Sequence, residues 1–142
     1  MRSDSLREKP KQTSRVVAAV LAVLWAAVIF YLSAQPRDRF PEHPSFLNVV
    51  AHLCEYALLA ALLTVAFNSP KRKLWFAGLI AIIIASLYGA GDEFHQYFVP
   101  LRIADPFDWL VDTVGALLGA AITVWLIASR TVKRSRERDR LL

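Results

Sequence analysis

Residues 74–98 read LWFAGLIAIIIASLYGAGDEFHQYF and join a long apolar run to a short, densely polar segment. The run from Leu74 to Ala85 is built almost entirely from Leu, Ile, Ala, Trp and Phe. The segment after it places four polar or ionisable side chains within five positions: Asp92, Glu93, His95 and Gln96. Such side chains are costly inside a membrane and are normally kept for a function or matched by partners. The stretch therefore predicts a membrane-spanning helix with a polar site near one end.

The composition of the whole chain agrees with a membrane location. Its 142 residues are 56% hydrophobic, above the roughly 45–50% typical of soluble domains. The net charge of +5 comes from residues that flank apolar blocks. We therefore expect membrane lipids with anionic headgroups, and no nucleic acid, as partners. The single Cys54 excludes an internal disulfide.

Apolar segments long enough to cross a membrane alternate with polar loops. A helix rises about 1.5 Å per residue, so about 20 residues cross the hydrocarbon core. We expect an all-α polytopic protein with four transmembrane helices, in a domain spanning residues 16–128. Residues 1–15, predicted to be disordered, and 129–142 would form basic tails. The predicted spans are Val16 to Ala34, Phe46 or Leu47 to Phe67, Leu74 to about Phe98, and Asp108 to Ala128. The alternative for the first span is a signal peptide cleaved after Ala34, but its apolar run is longer than usual for one.

Basic residues are distributed unequally between the two predicted sides of the membrane. Fourteen of the 17 Lys and Arg residues lie in the two tails and the 68–73 turn, which share one side in a four-span protein. The other side carries only Arg37, Arg39 and Arg102. The positive-inside rule therefore predicts that both termini are cytoplasmic.

Ionisable residues within the spans all fall in the outer half when positions are converted to depth at about 1.5 Å per residue. We therefore expect one polar pocket that opens to the extracytoplasmic side. They include His52, Glu55, Asp92, Asp108 and Asp112.

Helical spacing predicts which of these side chains share a face. His52 and Glu55 are three residues apart, and Asp92 has the same relation to His95 and a four-residue relation to Gln96. Glu93 is expected to point elsewhere. The final span carries a stripe whose two glycines predict close approach to a neighbouring helix. That stripe consists of Asp108, Asp112, Gly115 and Gly119.

The residue types favour acid–base chemistry or ligand binding. Histidine carries protons near neutral pH, and buried carboxylates orient and tune it. The candidate catalytic residues are His52, Glu55, Asp92, Glu93 and His95. The candidate substrate-binding residues are Gln96, Arg102, Asp108 and Asp112. Arg102 is expected to bind a phosphate or carboxylate, with a salt bridge to Asp105 or Asp108 as the alternative.

Two other interpretations stay open for the same residues. The polar side chains could hydrogen-bond between helices as packing contacts in a non-catalytic structural or partner-binding module. The His52/Glu55 and Asp92/His95 spacings could also serve a metal-dependent enzyme. We assign no metal ligand and no cofactor.

These motifs, in this order, resemble the VanZ-like family of membrane proteins, named for a glycopeptide (teicoplanin) resistance factor. The resemblance covers about two-thirds of the chain, and its sharpest part is the run from Asp92 to Gln96. Leu101 stands where a glycine is common in the family, and Asp112 where an asparagine is common. The matching elements are Ser33-Ala34-Gln35, His52-Leu53-Cys54-Glu55-Tyr56, Asp92-Glu93-Phe94-His95-Gln96, Pro100-Leu101-Arg102, Asp108, Gly115 and Gly119.

The resemblance implies a small multi-pass protein of the bacterial cytoplasmic membrane. It also implies a function at the cell envelope, with a link to glycopeptide tolerance. We expect the pocket to bind or act on a lipid headgroup, a cell-wall precursor or a glycopeptide-related ligand.

Overall fold

A computed structural model describes residues 3–36, 45–70, 72–102 and 104–140. Within these ranges the chain forms four α-helices and no strand: α1 (Ser3–Ser33), α2 (Ser45–Phe67), α3 (Leu74–Gln96) and α4 (Pro106–Asp139). Each of them contains a segment long and apolar enough to cross a membrane. The all-α, polytopic class is confirmed, whereas the cytoplasmic location of both termini stays a prediction.

The first and last helices extend beyond the predicted spans. α1 begins at Ser3, so the prediction of a disordered N-terminal tail is wrong from that residue onward. α4 likewise continues past Ala128 to Asp139. Extension of an existing helix adds one hydrogen bond for each residue fixed and avoids a new nucleation step, which favours helix in both charged segments. The predicted outer-loop residues Arg37 and Arg39 lie outside the described residues.

The tightest helix contact joins α2 to α4 and depends on two glycines. A Cβ atom on Gly115 would overlap the carbonyl oxygen of Leu53, and one on Gly119 would overlap that of Ala57. The two glycines and their two partners are each four residues apart, so one face of α4 lies directly on one face of α2. The close approach predicted from the glycine spacing is confirmed.

Side-chain hydrogen bonds to backbone oxygens connect α1 to α2 and α3. Trp25 Nε1 donates to the Glu55 carbonyl oxygen of α2 at 2.9 Å. Tyr88 Oη of α3 donates to the Ala26 carbonyl oxygen at 2.6 Å. Most large side chains on the opposite face of α1 are exposed apolar residues. Polar contacts therefore face the bundle, and an apolar surface is left for lipid.

Candidate functional site

A histidine on α2 is bonded to a fully buried aspartate on α4. His52 Nδ1 lies 2.9 Å from Asp112 Oδ1, and their side chains are 16% and 0% exposed. An ionised carboxylate can only accept hydrogen bonds, so Nδ1 is the donor in this pair, and His52 Nε2 is left for a further partner. The buried aspartate thus orients a histidine that reaches the surface. Gly115, one turn beyond Asp112, permits the close approach that makes this bond possible.

A second group of polar side chains, which we call the α3 carboxylate network, surrounds Asp92. Ser33 Oγ of α1 donates to Asp92 Oδ1 at 2.5 Å, and Gln96 Nε2 donates to Asp92 Oδ2 at 3.0 Å. Gln96 Nε2 also lies 3.4 Å from Glu93 Oε1, and the backbone N–H of Asp105 donates to Glu93 Oε2 at 2.9 Å. Each of the four carboxylate oxygens in this network has a donor, so these acids are satisfied within the protein.

The expectation that Glu93 points away from Asp92 is wrong. Both carboxylates are buried, at 5% exposure for Asp92 and 7% for Glu93. Adjacent positions on a helix are about 100° apart, but the Gln96 side chain is three residues from one and four from the other. One amide group therefore reaches both, which draws Glu93 onto the same face.

Arg102 binds the end of α1 through its guanidinium group. Its Nε donates to the Gln35 carbonyl oxygen at 3.0 Å, and its Nη2 to the Leu32 carbonyl oxygen at 2.9 Å. The last carbonyls of a helix lack intrahelical donors and carry partial negative charge, so a cation there is favourable. The preceding residue, Leu101, has φ of 64°, a left-handed conformation that side chains disfavour. The predicted role of Arg102 in anion binding stays a prediction.

His95 packs against α1. Its ring stacks on Phe30 with centroids 4.6 Å apart, and its Nε2 atom is buried without a hydrogen-bond partner among the described residues. Phe30 and Ser33 share one face of α1, as do His95 and Asp92 on α3. The structure therefore places His95 in the contact between α1 and α3, beside the α3 carboxylate network.

Glu55 and Asp108 complete the predicted set. Both are half-buried, and within the described ranges neither carboxylate has a hydrogen bond or ion pair. Glu55 lies close enough to Asp112 and Asp92 to interact with them electrostatically, and Asp108 has the same relation to Asp112. We call the five carboxylates contributed by α2, α3 and α4 the acidic cluster: Glu55, Asp92, Glu93, Asp108 and Asp112. Their functional roles stay predictions.

Tyr56 belongs to this region, and its role was not predicted from the sequence. Tyr56 is fully buried and its hydroxyl has no partner among the described residues, like Asp112 Oδ2. Gly89 separates them, since a Cβ there would lie 3.2 Å from Tyr56 Cε1 and 3.1 Å from Asp112 Oδ2. The four-residue spacing from His52 to Tyr56 was the available signal, because it places both on one face of α2.

Metal ligation was the third interpretation of these residues. Across residues 3–36, 45–70, 72–102 and 104–140, the structure contains no group of three or more His, Cys, Asp or Glu side chains arranged to hold a metal ion. No ligand set can therefore be named.

Helices of membrane-spanning length, with buried acids and a histidine between them, define a polytopic helical membrane-type protein. A family model described as VanZ/LLP1 matches residues 18–128, and the chain belongs to this family. The resemblance seen in the motifs is thereby confirmed. No curated protein and no solved structure matches the chain.

Proposed function

We propose that this VanZ-family protein binds the polar headgroup of an envelope lipid or lipid-linked cell-envelope molecule at the acidic cluster. Binding takes place from the extracytoplasmic side of the bacterial cytoplasmic membrane. The observation that carries the proposal is the His52–Asp112 pair, in which a fully buried acid orients a histidine that reaches the surface.

Packing alone is a weak reason for this pair. Hydrogen bonds between transmembrane helices contribute about 0.6 kcal/mol on average, whereas burying an aspartate in a membrane costs about 2.5–3.5 kcal/mol on insertion scales. A carboxylate that holds His52 Nδ1 leaves Nε2 to bond a ligand. The carboxylates of Glu55 and Asp108, half-buried beside the pair, supply further acceptors.

A non-catalytic structural role is the second candidate, and it fits the α3 carboxylate network. Ser33, Gln96 and the Asp105 N–H satisfy the four oxygens of Asp92 and Glu93. Arg102 likewise binds carbonyl oxygens of the chain itself. We assign these residues to holding α1, α3 and the following loop together, and the His52–Asp112 end of the cluster to the ligand.

The test compares variants on the same helix. Wild type, His52→Ala and Cys54→Ser are purified from bacterial membranes in mild detergent, and the lipids retained by each are identified by native mass spectrometry. Cys54 is exposed and one turn or less from His52, so its serine variant is the matched control. We expect His52→Ala to stay helical with a lower unfolding temperature, because Asp112 loses its donor, and to lose the retained lipid; Cys54→Ser should keep it. Equal lipid retention by the two variants contradicts ligand binding at His52.

The link to glycopeptide tolerance has a separate readout. If the bound molecule is a cell-wall precursor, cells that express the wild-type chain become less sensitive to teicoplanin than cells that express His52→Ala at the same level. If teicoplanin sensitivity is unchanged and the purified protein still retains lipid, the ligand is a membrane lipid and not a cell-wall precursor.

A further inference from the structure

We infer that the ligand of the acidic cluster carries a primary ammonium group; this rests on the proposed function and names its ligand class. The first ground is charge. Glu55, Asp108 and Asp112 lie at the ligand end of the cluster, and Asp92 and Glu93 of α3 are close enough to act on them electrostatically. An anion placed among them would meet like charges, whereas a cation would neutralise part of their charge.

The second ground is the engagement of the nearest arginine. Arg102 is close enough to Glu55 for electrostatic interaction. Its guanidinium nonetheless donates to the carbonyl oxygens of Leu32 and Gln35. It is therefore held at the end of α1, where it offsets the helix dipole. Its charge is therefore shared between that helix end and Glu55, and the carboxylates of the cluster outnumber it.

The third ground is the buried hydroxyl group of Tyr56, which is an observation separate from the charge of the carboxylates. Tyr56 is 0% exposed, and its Oη has no hydrogen-bond partner among the described residues. Its ring carbon Cε1 borders the same position beside Gly89 as Asp112 Oδ2, which also lacks a hydrogen-bond partner among the described residues. A buried polar atom without a partner is destabilising and calls for a ligand or water that satisfies it.

The carboxylate oxygens at the His52–Asp112 end of the cluster that lack a partner can only accept hydrogen bonds when they are ionised. The Glu55 and Asp108 carboxylates have no donor within the described chain, and neither does Asp112 Oδ2. A primary ammonium group offers three donors and no acceptor. It therefore complements this set better than a phosphate, whose oxygens need donors. A quaternary ammonium fits less well, because it has no N–H.

Primary ammonium groups occur in ethanolamine lipids and also in soluble or peptide-borne amines. We therefore test purified full-length protein by native mass spectrometry with three lipids: phosphatidylethanolamine, phosphatidylcholine and phosphatidylglycerol. Soluble phosphoethanolamine is then added as a competitor. Displacement of bound phosphatidylethanolamine by millimolar phosphoethanolamine assigns recognition to the amine headgroup itself. Resistance to displacement assigns recognition to the headgroup attached to its lipid.

We expect phosphatidylethanolamine to bind about tenfold more tightly than the other two lipids. A tenfold difference corresponds to one charge-assisted hydrogen bond that the other two headgroups cannot make. Glu55→Gln and Asp108→Asn should reduce that preference severalfold and keep the protein folded. Glu137→Gln is the control, because it removes the same charge at an exposed position near the other end of α4. Equal or tighter binding of phosphatidylglycerol overturns the ammonium inference and leaves headgroup binding intact. Failure of all three lipids to bind overturns both.

Discussion

Gly119 of α4 lies so close to Ala57 of α2 that the carbonyl oxygen of Ala57 occupies the space a Cβ at position 119 would need. Gly115 has the same relation to Leu53 one turn away. This contact fixes the separation of the two helices. His52 directly precedes Leu53 and Asp112 lies about one turn before Gly115, and this separation brings their side chains to 2.9 Å. The glycine pair therefore sets the geometry of the polar site as well as the packing.

Replacing Gly119 by alanine should force α2 and α4 apart. Overpacking of this kind costs about 1–3 kcal/mol, so Gly119→Ala should lower the thermal unfolding temperature in detergent. Gly91→Ala is the control, because a Cβ on Gly91 meets nothing within 4 Å. Alanine there should leave stability unchanged or raise it by up to about 1 kcal/mol through helix propensity. Equal behaviour of the two variants is incompatible with the close α2–α4 contact.

The bond between Ser33 and Asp92 should couple α1 to α3 energetically. A double-mutant cycle with Ser33→Ala and Asp92→Ala isolates that pair from their other contacts. We expect a coupling free energy near the average of about 0.6 kcal/mol found between membrane helices, where the largest value is about 1.7 kcal/mol. The readout is unfolding of the four proteins in detergent with a chemical denaturant. Strictly additive effects would show that the two side chains do not interact.

Leu101 should be a source of local strain. Its φ of 64° costs a residue with a side chain about 1–2 kcal/mol relative to glycine. Leu101→Gly should therefore raise the thermal stability by about 1 kcal/mol. Leu101→Ala is the control, because it removes the same exposed side chain and keeps the strained conformation. A gain in both variants would trace the effect to the lost apolar surface instead.

The cytoplasmic location of both termini can be tested with single cysteines in a Cys54→Ser background. Pro70 and Pro100 are both exposed and lie in loops at opposite ends of α3. We expect a membrane-impermeant thiol reagent applied to intact cells to label Pro100→Cys and to spare Pro70→Cys until the cells are opened. The reverse pattern would invert the predicted orientation and place the acidic cluster toward the cytoplasm.

The helices and their tightest contact could be predicted from the sequence because their signals are local. Apolar length predicts a span, and the spacing of Gly115 and Gly119 predicts a contact within one helix. The long α1 and α4 ends were not predicted. Their charges indicate a tail outside the membrane, and charge alone does not distinguish a solvated helix from a disordered segment.

The partners within the site could not be predicted, because they depend on which helices are neighbours. Ser33 is the last residue of α1. Nothing in the sequence around it indicates that its hydroxyl bonds Asp92. Arg102 was expected to bind an anion, and only the position of α1 reveals the Leu32 and Gln35 carbonyls beside it. The direction of Glu93 was predicted wrongly because the helix angle alone was used to assign its face. The Gln96 side chain is long enough to contact both Glu93 and Asp92.

Headgroup binding at His52 is tested most directly by ¹⁵N NMR of histidine side chains. The chain has three histidines, His43, His52 and His95, and His52→Ala identifies the His52 signal. Addition of a bacterial polar lipid extract to the protein in delipidated detergent micelles should shift His52 Nε2. The signal of His95, whose ring stacks on Phe30, should stay in place. Lipid binding without any change at His52 Nε2 would contradict the account.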